Sequence, residues 1–200
     1  MIIAWPSSKT FFLLKREFAI IVGQIRLMIK VLKLLVLAIP TIVFGQVEEE
    51  QDKIFVFESN LPEEIGLFYN QEKIKTIYSI RTDVNPFYLR GDFDGDKKQD
   101  YALSIVERET DKKGILIYHT GTKTHYIIGT GKSLINGNGG DDYNWMNAWK
   151  VYVSKTVEIG VGETEIITLK GEAILVIKLE SASGLIYWTG KDYKWYQQGD

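Results

Sequence analysis

The feature that most constrains this chain is a succession of short apolar segments with turn residues between them. From residue 54 onward, segments rich in Ile, Val, Tyr and Phe are bounded by Gly, Asn or Asp. They are Ile54–Phe57, Lys73–Ile80, Pro86–Leu89, Tyr101–Arg108, Gly114–His119, His125–Ile128, Trp149–Ser154, Glu165–Leu169, Ala173–Leu179, Leu185–Thr189 and Tyr193–Gln197. Eleven such segments at close spacing predict an all-β, β-dominated domain of antiparallel hairpins. Its architecture is partly propeller-like, or a sandwich or barrel. Only Leu61–Tyr69 has a helical signature, with Pro62 near N1 followed by Glu63 and Glu64. At most one short helix is therefore expected.

An internal repeat is visible within these segments. Leu116-Ile-Tyr-His-Thr-Gly121 returns as Leu185-Ile-Tyr-Trp-Thr-Gly190. The strands before them align as Ala102-Leu-Ser-Ile-Val-Glu107 and Ala173-Ile-Leu-Val-Ile-Lys178, and further upstream Leu89-Arg-Gly-Asp92 parallels Leu169-Lys-Gly-Glu172. The two copies run over about 87–121 and 167–190. Recurrent hairpin chemistry is the plainer explanation, but three segments align in the same order. The first copy alone inserts Phe93–Tyr101.

The insertion belongs to the one loop with clear chemistry, Asp92-Phe-Asp94-Gly95-Asp96-Lys-Lys98-Gln-Asp100. Carboxylates at alternate positions of a tight loop can converge, and convergent carboxylates need a cation. A hard, oxygen-seeking ion such as Ca2+ suits them. The expected ligands are Asp92, Asp94, Asp96, the backbone carbonyl of Lys98, and Asp100. The loop is not an EF-hand, because Leu103 stands where a bidentate Glu is needed. It resembles instead the calcium loop of FG-GAP and VCBS-type repeats, as in integrin-like propeller blades. The matching residues are Leu89-Arg-Gly-Asp-Phe-Asp-Gly-Asp-Lys-Lys-Gln-Asp-Tyr-Ala-Leu103. The resemblance covers about 20 residues and implies a single calcium-stabilised strand–loop–strand unit in a small secreted bacterial protein, without enzyme activity. One departure is Lys97, where that family usually has a second Gly.

Composition adds exclusions. The 200 residues carry net charge −2 and no Cys, which excludes disulfides, thiolate metal sites, cysteine nucleophiles and lipid-acylated cysteine. Near-neutral charge argues against a nucleic-acid partner. The charge is unevenly distributed. Residues 1–45 hold six of the 24 cations and one of the 26 acids, leaving residues 46–200 with 18 cations, 25 acids and net charge −7.

The basic front has the layout of a secretory signal peptide over residues 28–45. Met28–Lys33 is a basic n-region, Leu34–Phe44 an apolar h-region, and Val43-Phe44-Gly45 a cleavage site before Gln46. The uncharged run Leu34–Val47 is 14 residues, short of a membrane span. Residues 1–27 are expected to be an over-extended N-terminus, or else a basic apolar helix on a membrane surface. Residues 46–200 are then a single exported domain, secreted or in the cell envelope, with an acidic lead-in at Glu48–Asp52.

Weaker signals remain. Asn136–Trp145 is a Gly-rich loop with paired acids, Asp141 and Asp142; it offers a second cation or ligand site, though more often such a loop is simply flexible. Ile128–Ser133 imitates a P-loop end but has Tyr126 where its first Gly belongs. His119 and His125 flank a Thr-Gly turn, and Ser104 or Ser133 is a formal nucleophile, but no nucleophile elbow is present. Trp145, Trp149, Trp188 and Trp195, with Tyr143, Tyr187, Tyr193 and Tyr196, belong by default in a core. Exposed in a row, they would suit a glycan or protein ligand. The favoured expectation is an exported, calcium-stabilised binding or structural module. The alternatives are a secreted hydrolase working through Asp carboxylates and an inhibitor or immunity-like protein.

Overall fold

The computed structural model describes residues 18, 21–33, 49–134 and 139–199. The chain divides after Gln51 into two compact units. In the first, residues 21–33 are helical, and Ile25, Leu27, Met28, Ile29, Val31 and Leu32 are exposed on that helix. The expected h-region and cleavage site at 34–45 lie outside the described residues. No helix among the described residues is long and apolar enough to cross a membrane.

The second unit is β-rich and antiparallel but not all-β, and this corrects the limit of one short helix. It carries, from Asp52 on, most of α1 (49–59), which begins before the division, and α2 (Glu63–Tyr69) and α3 (Glu72–Ile77). Two expected strands are thereby displaced. Ile54–Phe57 lies in α1, where Ile54, Phe57 and Glu58 share the half-buried face while Phe55 and Val56 are exposed. The flanking Glu, Gln, Asp and Lys let that 3.6-residue period prevail over the β-favouring residues at its centre. The acidic residues 49–52 are the first turn of this helix rather than a loose lead-in. Lys73–Ile80 divides into α3, which buries Ile74, and β1, whose three residues are all buried.

Among the described residues, eleven strands follow. They are β1 (Tyr78–Ile80), β2 (Tyr88–Gly91), β3 (Asp100–Glu107), β4 (Lys113–His119), β5 (Thr124–Gly129), β6 (Ala148–Tyr152), β7 (Thr156–Val157), β8 (Ile167–Thr168), β9 (Ala173–Lys178), β10 (Ala182–Trp188) and β11 (Tyr193–Gly199). The first sheet runs β1-β3-β4-β5, and β2 also pairs with β3. β1 takes Ile105–Glu107 of β3 and β2 takes Asp100–Leu103, so the two short strands lie in series along one edge. The loop between them is closed at Ser104, whose carbonyl accepts from Arg81 N–H and whose N–H donates to Phe87. The second sheet runs β11-β10-β9-β6, and β7–β8 is a separate ribbon.

The sheets face each other across a core that contains Ala102, Ile115, Ile117 and Ile128 from one and Trp149, Ile174, Val176, Ile186 and Trp195 from the other. The outer face of the first sheet buries Leu103, Ile105 and Leu116 against Ile65, Phe68 and Tyr69 of α2. The outer face of the second buries Ala173, Leu185 and Tyr196 with Val157 of the ribbon and Leu169. Both faces of both sheets are covered, so strands such as Ala173–Lys178 read as continuous apolar runs rather than alternations.

β3-β4-β5 and β9-β10-β11 are both three-stranded meanders. His119 faces Thr124 across residues 120–123, and Trp188 faces Tyr193 across residues 189–192. Ile117 and Ile186 point into the inter-sheet core, while Leu116 and Leu185 point outward. The alignment of Ala102 with Ala173 is one residue out of register. Ala102 pairs with Ile117 and so corresponds to Ile174, the partner of Ile186. A one-residue slip exchanges faces, and Ala102 and Ala173 indeed lie in different cores.

Candidate metal centre

Residues 92–99 connect β2 to β3, with Gly91 and Asp100 paired at the base. Within the loop, each alternate Asp folds the backbone onto its own side chain. Asp92 Oδ1 accepts from Gly95 N at 2.7 Å, Asp94 Oδ1 from Asp96 N at 3.0 Å, and Asp96 Oδ1 from Lys98 N at 2.7 Å. These successive Asx turns leave Oδ2 of each Asp unused by the turns. Gly95 and Lys97 adopt φ of +84° and +69°. Lys97 holds the left-handed conformation without a glycine's freedom, at a cost of about 1 kcal/mol.

The loop rests on the chain leading into β9. Asp92 N donates to Glu172 Oε2 at 2.9 Å, and Glu172 N donates to Asp92 O at 2.6 Å. The two Leu-basic-Gly-acid elements of the sequence thus bond to each other. Gly171 is required there, since a Cβ on it would fall 2.3 Å from Asp92 O.

Carboxylate oxygens of Asp92, Asp94 and Asp96 lie within 4.8 Å of one another. Donors around one ion at 2.3–2.6 Å are separated by up to about 5 Å, so three oxygens this close fit a single Ca2+. The Lys98 ammonium is 3.8 Å from Asp96 Oδ2 on a side chain that is mostly exposed.

Asp100 opens β3. It is fully buried at the base of the loop, where Oδ2 accepts from Phe93 N at 3.0 Å and Oδ1 from Thr120 N at 2.9 Å. It groups with Asp94 and His119, not with Asp92 and Asp96. The four expected Asp therefore fall into two triads that share Asp94, and His119, which was not among the expected ligands, completes the second. Burial pushes the Asp100 carboxyl up to about 7; the N–H of Thr120 opposes this and Asp94 adds to it.

Sequence reasoning missed His119 and Tyr193 as neighbours of the loop. His119 is buried, with Nδ1 3.4 Å from Asp94 Oδ2 and Nε2 2.6 Å from the Tyr193 hydroxyl. Burial lowers the imidazole pKa against the pull of Asp94, Asp96 and Asp92. Burial also raises the Tyr193 phenol well above its ordinary value, with Asp100 and Asp94 contributing. The one available signal was the repeat, in which His119 interrupts a position that is Trp188 in the other copy. Gly121 follows closely, and a Cβ there would fall 1.9 Å from Asp96 Oδ2.

Asp141 and Asp142 have structural partners. Asp141 pairs with Lys112, which lowers its pKa. Asp142 Oδ1 accepts from Lys113 N at 2.9 Å and Asn144 N at 3.0 Å, capping a short 3-10 turn. Ser104 is buried in strand β3, while Ser133 and His125 are exposed. No exposed aromatic row exists among the eight residues considered. Tyr143, Trp149, Tyr193, Trp195 and Tyr196 are buried, and Trp145, Tyr187 and Trp188 are half-buried. No family model, curated protein or solved structure matches the chain.

Proposed function

We propose that the chain is an exported, calcium-stabilised β-rich module with a binding or structural task, its Asp92–Asp100 loop acting as a single repeat of the FG-GAP/VCBS kind. The observation that carries this reading is the convergence of Asp92, Asp94 and Asp96 within 4.8 Å at the turn between two paired strands. An ion bound there holds the β2–β3 turn, which itself bonds to the start of β9 through Glu172. Calcium would thereby fasten one meander to the other, in a chain without Cys for a covalent link. The matching registers of the two meanders support an internal duplication.

The test is thermal unfolding of the chelator-treated protein with and without Ca2+. At a concentration of 100 Kd the expected stabilisation is about 2.7 kcal/mol. Replacing both Asp94 and Asp96 by Ala removes it. A wild-type melting curve indifferent to Ca2+ rejects the calcium reading. Export is tested separately by N-terminal sequencing of protein recovered outside the cytoplasm. Gln46 is the expected first residue, and a start upstream of residue 40 rejects the signal peptide.

A further inference from the structure

We propose that Asp94, Asp100 and His119 form a second cation position, selective for a borderline divalent ion such as Zn2+ over Ca2+. The proposal rests on the loop reading only in that Asp94 is common to both triads.

The donor set is the first reason. Two carboxylate oxygens and an imidazole nitrogen lie within 4.8 Å of one another, on side chains that are nearly or fully buried. Calcium takes oxygen ligands, whereas imidazole nitrogen with carboxylate suits zinc and its neighbours. Three protein ligands leave a tetrahedral ion one position for an external donor.

The second reason is how the imidazole is held. The Tyr193 hydroxyl occupies Nε2 at 2.6 Å, and Nδ1 faces Asp94. A hydrogen bond to the far ring nitrogen is the usual device for fixing a metal-binding His. Tyr126, Trp188 and Tyr193 surround the ring at centroid distances of 4.9, 5.2 and 5.7 Å. The strand position therefore presents one nitrogen to the acids and excludes water from the other side.

Charge is the third reason. Among the described residues, no Lys or Arg forms an ion pair with Asp94 or Asp100. Two acids that share a largely water-excluded site favour a bound cation. A divalent ion bonded to both satisfies them together.

The experiment uses the whole chain, stripped with chelator, and Co2+ as a coloured substitute for Zn2+. Wild type is expected to develop visible d–d bands that Zn2+ displaces. His119→Gln should lose the bands and bind Zn2+ at least tenfold more weakly, while its Ca2+-dependent rise in melting temperature persists. Asp96→Asn should keep the bands and lose the Ca2+ response, and His125→Gln should behave as wild type. Absent bands in wild type, or equal bands and equal Zn2+ affinity in His119→Gln, overturn the proposal. If His119→Gln does not fold, Tyr193→Phe decides: a tenfold loss of Zn2+ affinity supports it and unchanged affinity overturns it. A Co2+ response without a Ca2+ response rejects only the calcium reading, and the reverse rejects only this one.

Discussion

Gly121→Ala separates the geometry of the aspartate loop from its charge. An alanine Cβ would fall 1.9 Å from Asp96 Oδ2 and 3.0 Å from its Cγ, so the carboxylate must swing away. The Asp96 side chain is near the surface and can do so. In the cation-free protein the change costs little. It breaks the Asp96 Oδ1–Lys98 N bond, about 1 kcal/mol. Against that, Gly→Ala where φ is not left-handed stabilises by about 0.4–1 kcal/mol. With Ca2+ the outcome differs, because one of three convergent carboxylates leaves the site. If affinity falls 100-fold, a stabilisation of about 2.7 kcal/mol at 100 wild-type Kd falls to about 0.4 kcal/mol. For a unit of this size about 1 kcal/mol moves Tm by roughly 2–4 °C. The calcium-induced rise should therefore shrink from about 5–11 °C to about 1–2 °C, with the calcium-free Tm within about 4 °C of wild type. Differential scanning calorimetry with Ca2+ and with chelator measures both. A variant that keeps the full calcium-induced rise would refute the placement of Asp96 in the site.

Other expectations concern stability. Lys97→Gly relieves a left-handed residue at φ +69°, about 1–2 kcal/mol, against about 0.4–1 kcal/mol for the freer unfolded chain, so the chelator-treated Tm should rise by about 1–3 °C; a lower Tm contradicts this. Arg81 is buried, donates to the carbonyls of Tyr143 and Met146 at 2.9 Å each, and holds Asp83. Arg81→Ala should lose about 3 kcal/mol in urea unfolding, and a loss below about 1 kcal/mol would mean those carbonyls find other donors. Burial raises the Asp83 carboxyl, but Arg81 and Lys113 outweigh it and hold the pKa at about 2, below its ordinary 3.8. Its contribution is therefore full above pH 4 and is lost as pH falls from 4 to 2. The side chain is half-exposed, which limits the effect to about 1 kcal/mol or less. Asp83→Asn should flatten the acid limb of the stability curve in that window, and identical slopes would contradict the assignment.

The β-rich, antiparallel character was legible in the chain because turn residues punctuate β-branched and aromatic runs. What misled was local composition where tertiary contacts decide. Ile54–Phe57 reads as a strand, but α1 half-buries only Ile54 and Phe57 of that run, and Phe57 packs on the cluster that holds Ile65, Phe68 and Tyr69. Lys73–Ile80 reads as one strand because the change of period at Tyr78 leaves no composition mark. In the loop, the alternation of Asp92, Asp94 and Asp96 was enough to bring them together. The hydrogen-bond partners of Asp100 were not legible, because they are the N–H groups of Phe93 and of Thr120, 20 residues further on. Likewise, Tyr193 reaches His119 across 74 residues, through the facing of two sheets that local sequence does not encode.

The serial arrangement of β1 and β2 has a consequence for self-association. A sheet edge with unpaired N–H and C=O groups is a template for another chain's strand. On this side of the first sheet the template is broken into pieces of three and four residues, with the Arg81–Phe87 loop between them. That loop contains Pro86, which has no N–H to offer; Trp149 Nε1 donates to its Pro86 carbonyl, and the Arg81 side chain donates to the Tyr143 carbonyl. An intruding strand can therefore hold register for only three or four residues before it meets a side chain–anchored loop. The interruption gives β3 neighbours along its length while denying a second molecule a continuous edge to extend.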